Sequence, residues 1–550
     1  MYLKVPESHD EHVGSQKYLE GLKLLVLLGS LTLVTFLVLL DTSIIGTAIP
    51  RITSDFHSLP DVGWYLGAYM LTAAAFQPLS GKFYAYFDNK VVYLGFVFIF
   101  EVGSLVCGVA STSVAFIVGR AIAGFGASGL FNGALTMLSG AVPLEKNPLY
   151  TGLLLGMAQI GIVAGPLLGG VLTEHATWRW CFYMNLPIGG VAALVLVFIR
   201  VPEVNAKSAF SYDLLQKVIP ELDLFGFILF APAAAMILLA LQFGSGNEYS
   251  WNSSTVIGLF VGAGISSILF FLWERRMGDM ALIPTFMLTK RVVWTSCTFG
   301  MCIMSCMITA SNWIPTYFQA VKGEEPLMSG VHILPSILGQ LLMVVVSGAA
   351  VSKWGYYLPW AMFSGIVTAV GNGLISTFTV STTVGQWVGY QIVVGAGRGA
   401  GTQMGLIAIQ NAIHSRHIPV AIALLIFAQY LGTSIIIVIS NTIFAQTLTA
   451  AISKYAPSVS PQAALDAGSD ANAVRHLVIG HEEDLSGVLR AYSESLRNVF
   501  YFLVGIAALA VLVSVGMGWK GVRTTKVESH ESQGDFVQAE SVESRKESKV

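Results

Sequence analysis

The chain has 550 residues, 54% of them hydrophobic and 11% charged, and a formal net charge of −2. An ordinary soluble domain carries roughly 25% charged residues, so most of this chain must face lipid or other buried helices. The near-neutral balance and scattered basic residues argue against nucleic-acid binding, and the five cysteines, all in apolar stretches without metal-type spacing, argue against a disulfide framework or a zinc site.

The first residues are polar and include Glu7, His9, Asp10, Glu11 and His12. That is not the basic start and apolar core of a secretory signal peptide, so the first apolar segment reads as a retained transmembrane helix. A membrane helix needs about 20 apolar residues. Fourteen segments qualify, near 22–48, 62–81, 91–110, 113–141, 150–173, 181–200, 224–243, 254–273, 292–318, 328–350, 358–379, 385–410, 419–447 and 498–519. The expected fold is all-α and integral to the membrane. Two six-helix bundles, 22–200 and 292–519, flank a linker at 201–291 that carries helices 7 and 8. Polar tails at 1–21 and 520–550 and a long polar loop near 449–497 complete the chain, and the last tail reads as disordered.

An even number of crossings puts both termini on one side. If that side is cytoplasmic, the outer loops hold only Arg51, Arg179, Lys322, Lys454, Arg475, Arg490 and Arg497 among 30 Lys and Arg residues. The remainder, apart from Arg120 and Arg398 inside helices, lie inside, as the positive-inside rule requires. The same topology places the sequon Asn252-Ser253-Ser254 outside, which makes Asn252 a glycosylation candidate. The expected location is a multi-pass protein of the cell membrane, with the vacuolar membrane as the alternative.

A weak repeat relates the two halves. Residues 117–130 read IVGRAIAGFGASGL and residues 394–406 read VGAGRGAGTQMGL, each with an arginine among glycines. Internal symmetry of this kind is typical of transporters, with the site between the repeats.

Ionised groups inside a bilayer are costly, so those that survive become functional candidates. They are Asp41, Glu101, Arg120 and Arg398. At ~1.5 Å per residue, Asp41 lies roughly 10 Å from the outer end of its helix, and Glu101 and Arg120 roughly 12 Å. Their similar depth predicts one charge cluster. Asp41 and Glu101 are the proton-coupling candidates, held together by Arg120; the plainer alternative is a static buried ion pair that orients helices. Arg398 either binds an anionic substrate or braces its helix, and bracing is the expected role.

Gln77, Asn132, Asn312, Gln340, Gln403, Gln410 and Gln429 are uncharged polar groups at membrane depth. Singly they read as interhelical hydrogen-bonding groups. As a set, with Trp313, they fit a mostly apolar cavity for amphipathic organic molecules. Met301, Met304 and Met307 recur at three-residue spacing, which suits either packing or a tolerant pocket. Gly161, Gly165 and Gly169 share a helix face, with Pro166 and Gly170 beside them, so a neighbouring helix can approach closely there. The expected partner is the opposite half.

These motifs together resemble the major facilitator superfamily, in particular its fourteen-helix drug:proton antiporters. Leu40-Asp41-Thr42-Ser43-Ile44-Ile45-Gly46-Thr47-Ala48-Ile49-Pro50 looks like the first-helix motif of that group. Gly119-Arg120 with Gly124 and Gly126 looks like its fourth-helix motif, whose arginine the resemblance associates with proton transfer. Residues 161–170, GIVAGPLLGG, look like the fifth-helix antiporter motif, associated with export, and residues 178–190, WRWCFYMNLPIGG, like the run that opens helix 6. The superfamily's loop between helices 2 and 3 reads Gly-x-Leu-x-Asp-Arg-x-Gly-Arg-Lys. Here Gly81 and Lys90 match, but Ala85 and Tyr86 replace the acid and the arginine, so the usual charge latch is not carried over; Asp88 is a shifted substitute.

The resemblance implies a proton-coupled exporter of a toxin, drug or secondary metabolite that works by alternating access and as a monomer. Uptake, for example of a siderophore, and a transporter-like sensor are the alternatives. No catalytic constellation or GxxxxGK[ST] loop is present, so neither an enzyme nor ATP-driven pumping is expected. The expected partners are a small molecule, protons and lipid; no cofactor or metal is expected, with a proton gradient as the energy source.

Overall fold

A computed structural model describes residues 18–58, 61–203, 207, 218–245, 249–468, 471–479, 481–519 and 521–522. Residues 1–17 of the first tail, most of the polar link at 201–221 and nearly all of the last tail lie outside the described residues.

Fourteen long helices account for the apolar segments. They are α1 (Gly21–Phe56), α2 (Val62–Tyr86), α3 (Asn89–Val109), α4 (Ser113–Ala141), α5 (Asn147–His175), α6 (Asn185–Phe198), α7 (Leu224–Ser245), α8 (Ser254–Met277), α9 (Arg291–Thr316), α10 (Leu334–Trp354), α11 (Leu358–Ile375), α12 (Val384–Gly401, resuming at Met404–Ala412), α13 (Ile418–Tyr455) and α14 (Leu485–Ser514). Among the described residues there is no strand. Helices satisfy their own backbone hydrogen bonds, which a bilayer cannot do for them. By length and composition thirteen of the fourteen are apolar enough to cross a membrane. The exception is α2, whose window is diluted by tyrosines, Gln77 and Pro78, and which is shielded by its neighbours: Tyr65, Tyr69, Gln77 and Tyr84 are all buried.

Alternating crossings bring both ends of the described chain to one face, the terminal face. There Leu19 N donates to Ala141 O at the end of α4, and Val522 N to Gly355 O after α10. The other side is the loop face.

Two boundaries differ from expectation. The polar loop near 449–497 is shorter, because α13 runs to Tyr455 and α14 begins at Leu485. These extensions are too polar to read as membrane spans, but they pack on each other: a Cβ on Gly487 would lie 2.0 Å from Tyr455 O. Short helices Pro461–Ala467 and Ala471–His476 fill what remains. The expected single helix at 385–410 breaks at Thr402–Gln403, within the glycine-rich run.

The core is distributed unevenly. Toward the terminal face one apolar cluster joins the two halves, with Leu135, Leu138, Ala141 and Leu154 from the first and Val344, Leu406, Ile409, Ile413 and Val420 from the second. Toward the loop face each half has its own core. One is built on Ile44, Ile52, Phe116, Trp178 and Phe182, the other on Ile314, Tyr317, Phe444, Leu448 and Tyr492. The bundle is therefore joined at the terminal face and divided at the loop face.

Candidate functional site

α1, α3, α4 and α6 build a polar centre in the first half. Arg120 Nη1 donates to Asp41 Oδ2 at 2.6 Å, and both side chains are 0% exposed. Arg120 Nε donates to Tyr65 O at 3.0 Å, and its guanidinium carbon lies 4.5 Å from the centre of the Tyr69 ring. Asn185 Nδ2 donates to Asp41 Oδ1 at 3.3 Å and to Ser104 Oγ at 3.1 Å. An isolated buried carboxylate is very costly, and this one is compensated by a single cation and one amide.

Glu101 does not join the ion pair. Neither of its carboxylate oxygens has a hydrogen-bond partner, and a Cβ on Gly189 of α6 would lie 1.7 Å from Oε1. The missing side chain at Gly189 makes room for the carboxyl. Glu101 lies one turn before Ser104 on α3, as Gly189 lies one turn after Asn185 on α6. The expected cluster of three charges is thus a pair, with the third acid alongside. Asn185, Tyr65, Tyr69 and Ser104 are structural partners that charge alone does not reveal. An asparagine within the apolar opening of α6 is the one available signal.

The glycine face of α5 meets α1, not the opposite half. A Cβ on Gly161 would lie 2.6 Å from Phe36 O, on Gly165 1.9 Å from Ser43 Oγ and on Gly169 2.1 Å from Thr47 Oγ1. Ser43 Oγ donates to Gly161 O at 3.0 Å. Pro166 is exposed, and Gly170 has nothing within 4 Å. The opposite half contacts α5 through another stripe, Gly152 and Gly156 beside α10. Small residues on one helix favour close approach, but spacing does not say to which neighbour.

The uncharged candidates divide into three groups. Gln340, Gln403 and Gln410 lie near or across the seam between halves. Gln340 Nε2 donates to Gln159 Oε1 at 2.6 Å, Asn147 Nδ2 to Gln410 Oε1 at 2.8 Å, and Gln403 Nε2 to Val344 O at 2.9 Å. Others turn inward within one half: Asn132 donates to Ser80 Oγ at 3.2 Å, and Trp313 packs on Phe444 with centroids 4.4 Å apart. Gln77 is buried with Nε2 unpartnered, Gln429 lies beside Gly300 of α9, and Asn312 is exposed on α9.

Arg398, in the second half, is 1% exposed. It donates to Val394 O and Met307 O at 3.3 Å each, and to Ser336 Oγ. Among the described residues no carboxylate pairs with it, so it ties α12 to α9 and α10 through neutral acceptors.

At the terminal face the α2–α3 turn has no charge latch of the usual kind. Asp88 is an exposed cap that accepts from Val91 N at 2.9 Å. Lys207 holds the turn instead, donating to Tyr84 O, Phe87 O and Asn89 Oδ1 at 2.6–2.9 Å, while Asn89 N donates to Glu203. Burial pushes the Glu203 carboxyl up and the Lys207 amino group down from their ordinary values. At the loop face, Asn252 is exposed just ahead of α8.

Fourteen helices, a two-half seam and a buried charge pair define a secondary transporter, and the Major Facilitator Superfamily profile matches residues 31–437; the chain belongs to that superfamily. Among its relatives, MFS-type transporter calB of Penicillium decumbens is 52% identical over 94% of this chain and 92% of its own. Efflux pump mlcE of Penicillium citrinum is 47% identical over 95% and 94%, and efflux pump aflT of Aspergillus parasiticus 40% identical over 94% and 99%. The proton:xylose symporter XylE shares the fold, with a TM-score of 0.56 at 12% identity over 89% of this chain and 94% of that one.

Proposed function

We propose that this transporter exports small amphipathic organic molecules, of the toxin, drug or secondary-metabolite class, in exchange for protons. The relatives named efflux pumps support the direction. The sparse polar groups along the seam support a substrate that is mostly apolar with a few hydrogen-bonding atoms. The observation that carries proton exchange is the Asp41–Arg120 pair. It is an ionisable carboxylate, sealed from solvent, with one cation partner among the described residues, inside a membrane-spanning helix. A proton on Asp41 cancels the pair's attraction and leaves Arg120 uncompensated, so protonation and helix arrangement are linked. Glu101, one turn away from Ser104 and without a partner, is the second proton-carrying candidate.

The excess of Lys and Arg supports a cytoplasmic terminal face. The bundle joined there and divided at the loop face is then an outward-facing state, the one that releases substrate and takes up a proton. Protein reconstituted in liposomes, carrying a fluorescent amphipathic probe, tests the reading. Probe movement driven by an imposed pH gradient, and lost in Asp41→Asn, is expected. Movement indifferent to the gradient rules out proton exchange.

A further inference from the structure

The inserted hairpin of α7 and α8 has no counterpart in either six-helix half, and its terminal-face end surrounds one buried cation. Lys82 of α2 is 2% exposed. Its Nζ donates to Glu221 O and to Met280 O, each at 3.1 Å. The first carbonyl belongs to the 3-10 turn Ile219–Leu222 that leads into α7, the second to the turn Gly278–Met280 that leaves α8.

Two buried carboxylates build this seat. Asp223 accepts from Gly226 N at 3.0 Å, from the Trp273 indole at 2.7 Å and from Leu282 N at 2.8 Å. Glu274 accepts from Leu282 N at 3.1 Å and Ile283 N at 3.0 Å. Asp223 holds a left-handed backbone, φ 49°, which a non-glycine residue adopts at a cost and which these bonds maintain. The two carboxylates lock the turns to each other, so the two carbonyls are presented as a unit.

The seat adjoins the seam. Gly81, next to Lys82, packs against α13: a Cβ there would lie 2.8 Å from Ala423 Cβ and 2.9 Å from Val420 Cα. The same Glu221 reaches the second half through Arg416, 3.8 Å away in the turn before α13. Phe230 of α7 packs on Phe427 of α13 with centroids 4.8 Å apart. The hairpin therefore grips α2 on one side and α13 on the other, at the place where the halves are joined.

We propose that the α7–α8 hairpin is a clamp that holds the terminal-face gate shut, with the Lys82 ammonium as its pin. Ala85 and Tyr86 have replaced the charges of the usual latch in this loop, and the clamp takes over their task from outside the two halves. Opening the gate separates α2 from α13, and the hairpin cannot keep both contacts. While Lys82 is seated, withdrawal of α2 would strand a cation's two acceptors and take its charge away from the two carboxylates it interacts with. The clamp rests on alternating access by the two halves and not on what drives it.

The test uses the full chain in lipid nanodiscs with spin labels at Lys146→Cys and Lys353→Cys, exposed terminal-face positions in opposite halves; the native cysteines are buried. Electron–electron distance measurements read the gate directly. In the parent a short distance dominates. In Lys82→Met the long-distance population rises several-fold, and Lys82→Arg restores most of the short one. Should Lys82→Met fail to reach the membrane, Glu274→Gln and Arg416→Ala carry the same test, with a smaller rise expected from the exposed Arg416. A distribution unchanged in folded variants overturns the clamp, even if transport falls. Asp41→Asn with the same labels keeps the two proposals apart: no change in its pH response, together with an open gate in Lys82→Met, would remove Asp41 from proton exchange and leave the clamp standing.

Discussion

Asp41 and Arg120 occupy the same depth in neighbouring helices, and their pairing at 2.6 Å gives each, among the described residues, its one full opposite charge. Removing one partner strands the other. Arg120→Ala is expected to destabilise the fold by about 3–5 kcal/mol, seen as a lowered melting temperature in detergent. Asp41→Asn keeps an acceptor for the guanidinium and is expected to fold, while losing the pH dependence of transport. Glu101 gives a sharper test. Gly189→Ala places a methyl where the Glu101 carboxyl lies, so it should displace Glu101 without touching the ion pair. If Glu101 carries a proton, Gly189→Ala and Glu101→Gln shift the pH–transport profile in the same sense. Unaltered profiles in both variants assign Glu101 to packing. The sequence reveals which residues are charged in the membrane. It does not reveal that Asn185 bonds Asp41, because an amide in an apolar run is equally consistent with any interhelical contact.

At the scale of elements, α5 shows how spacing and partner separate. The four-residue repeat of Gly161, Gly165 and Gly169 correctly implies a close helix contact, yet α1 makes it, not the opposite half. The neighbouring Gly170 faces open space. Gly165→Ala should therefore cost about 1–3 kcal/mol through overpacking against Ser43, whereas Gly170→Ala should fall within about 0.5 kcal/mol of the parent. Thermal unfolding of the two purified variants side by side distinguishes them. The end of α13 and the start of α14 carry the opposite lesson. Their polar residues conceal helices because helix–helix packing above the membrane does not need the apolar run that identifies a span.

At the scale of the whole molecule, the seam is joined at the terminal face by Asn147–Gln410 and the shared apolar cluster, with Gln159–Gln340 bridging the halves deeper in the bundle. A cysteine pair at Asn147→Cys and Gln410→Cys, oxidised to a cross-link, is expected to arrest transport and to release it on reduction. Continued transport by the cross-linked protein contradicts a gate at this place. By itself the sequence determined the class, because the bilayer forces every backbone polar group into a helix and makes each span and each buried charge stand out against an apolar background. It also marked which charged residues lie within apolar segments and where the apolar segments of α7 and α8 run. Tertiary structure alone decided which helix the glycines meet, which acid takes the arginine, which face is joined and where Lys82 goes. Those depend on contacts between residues far apart in the chain, such as Lys82 with Met280. Periodicity within one segment shows which face a helix presents, but not what it is presented to.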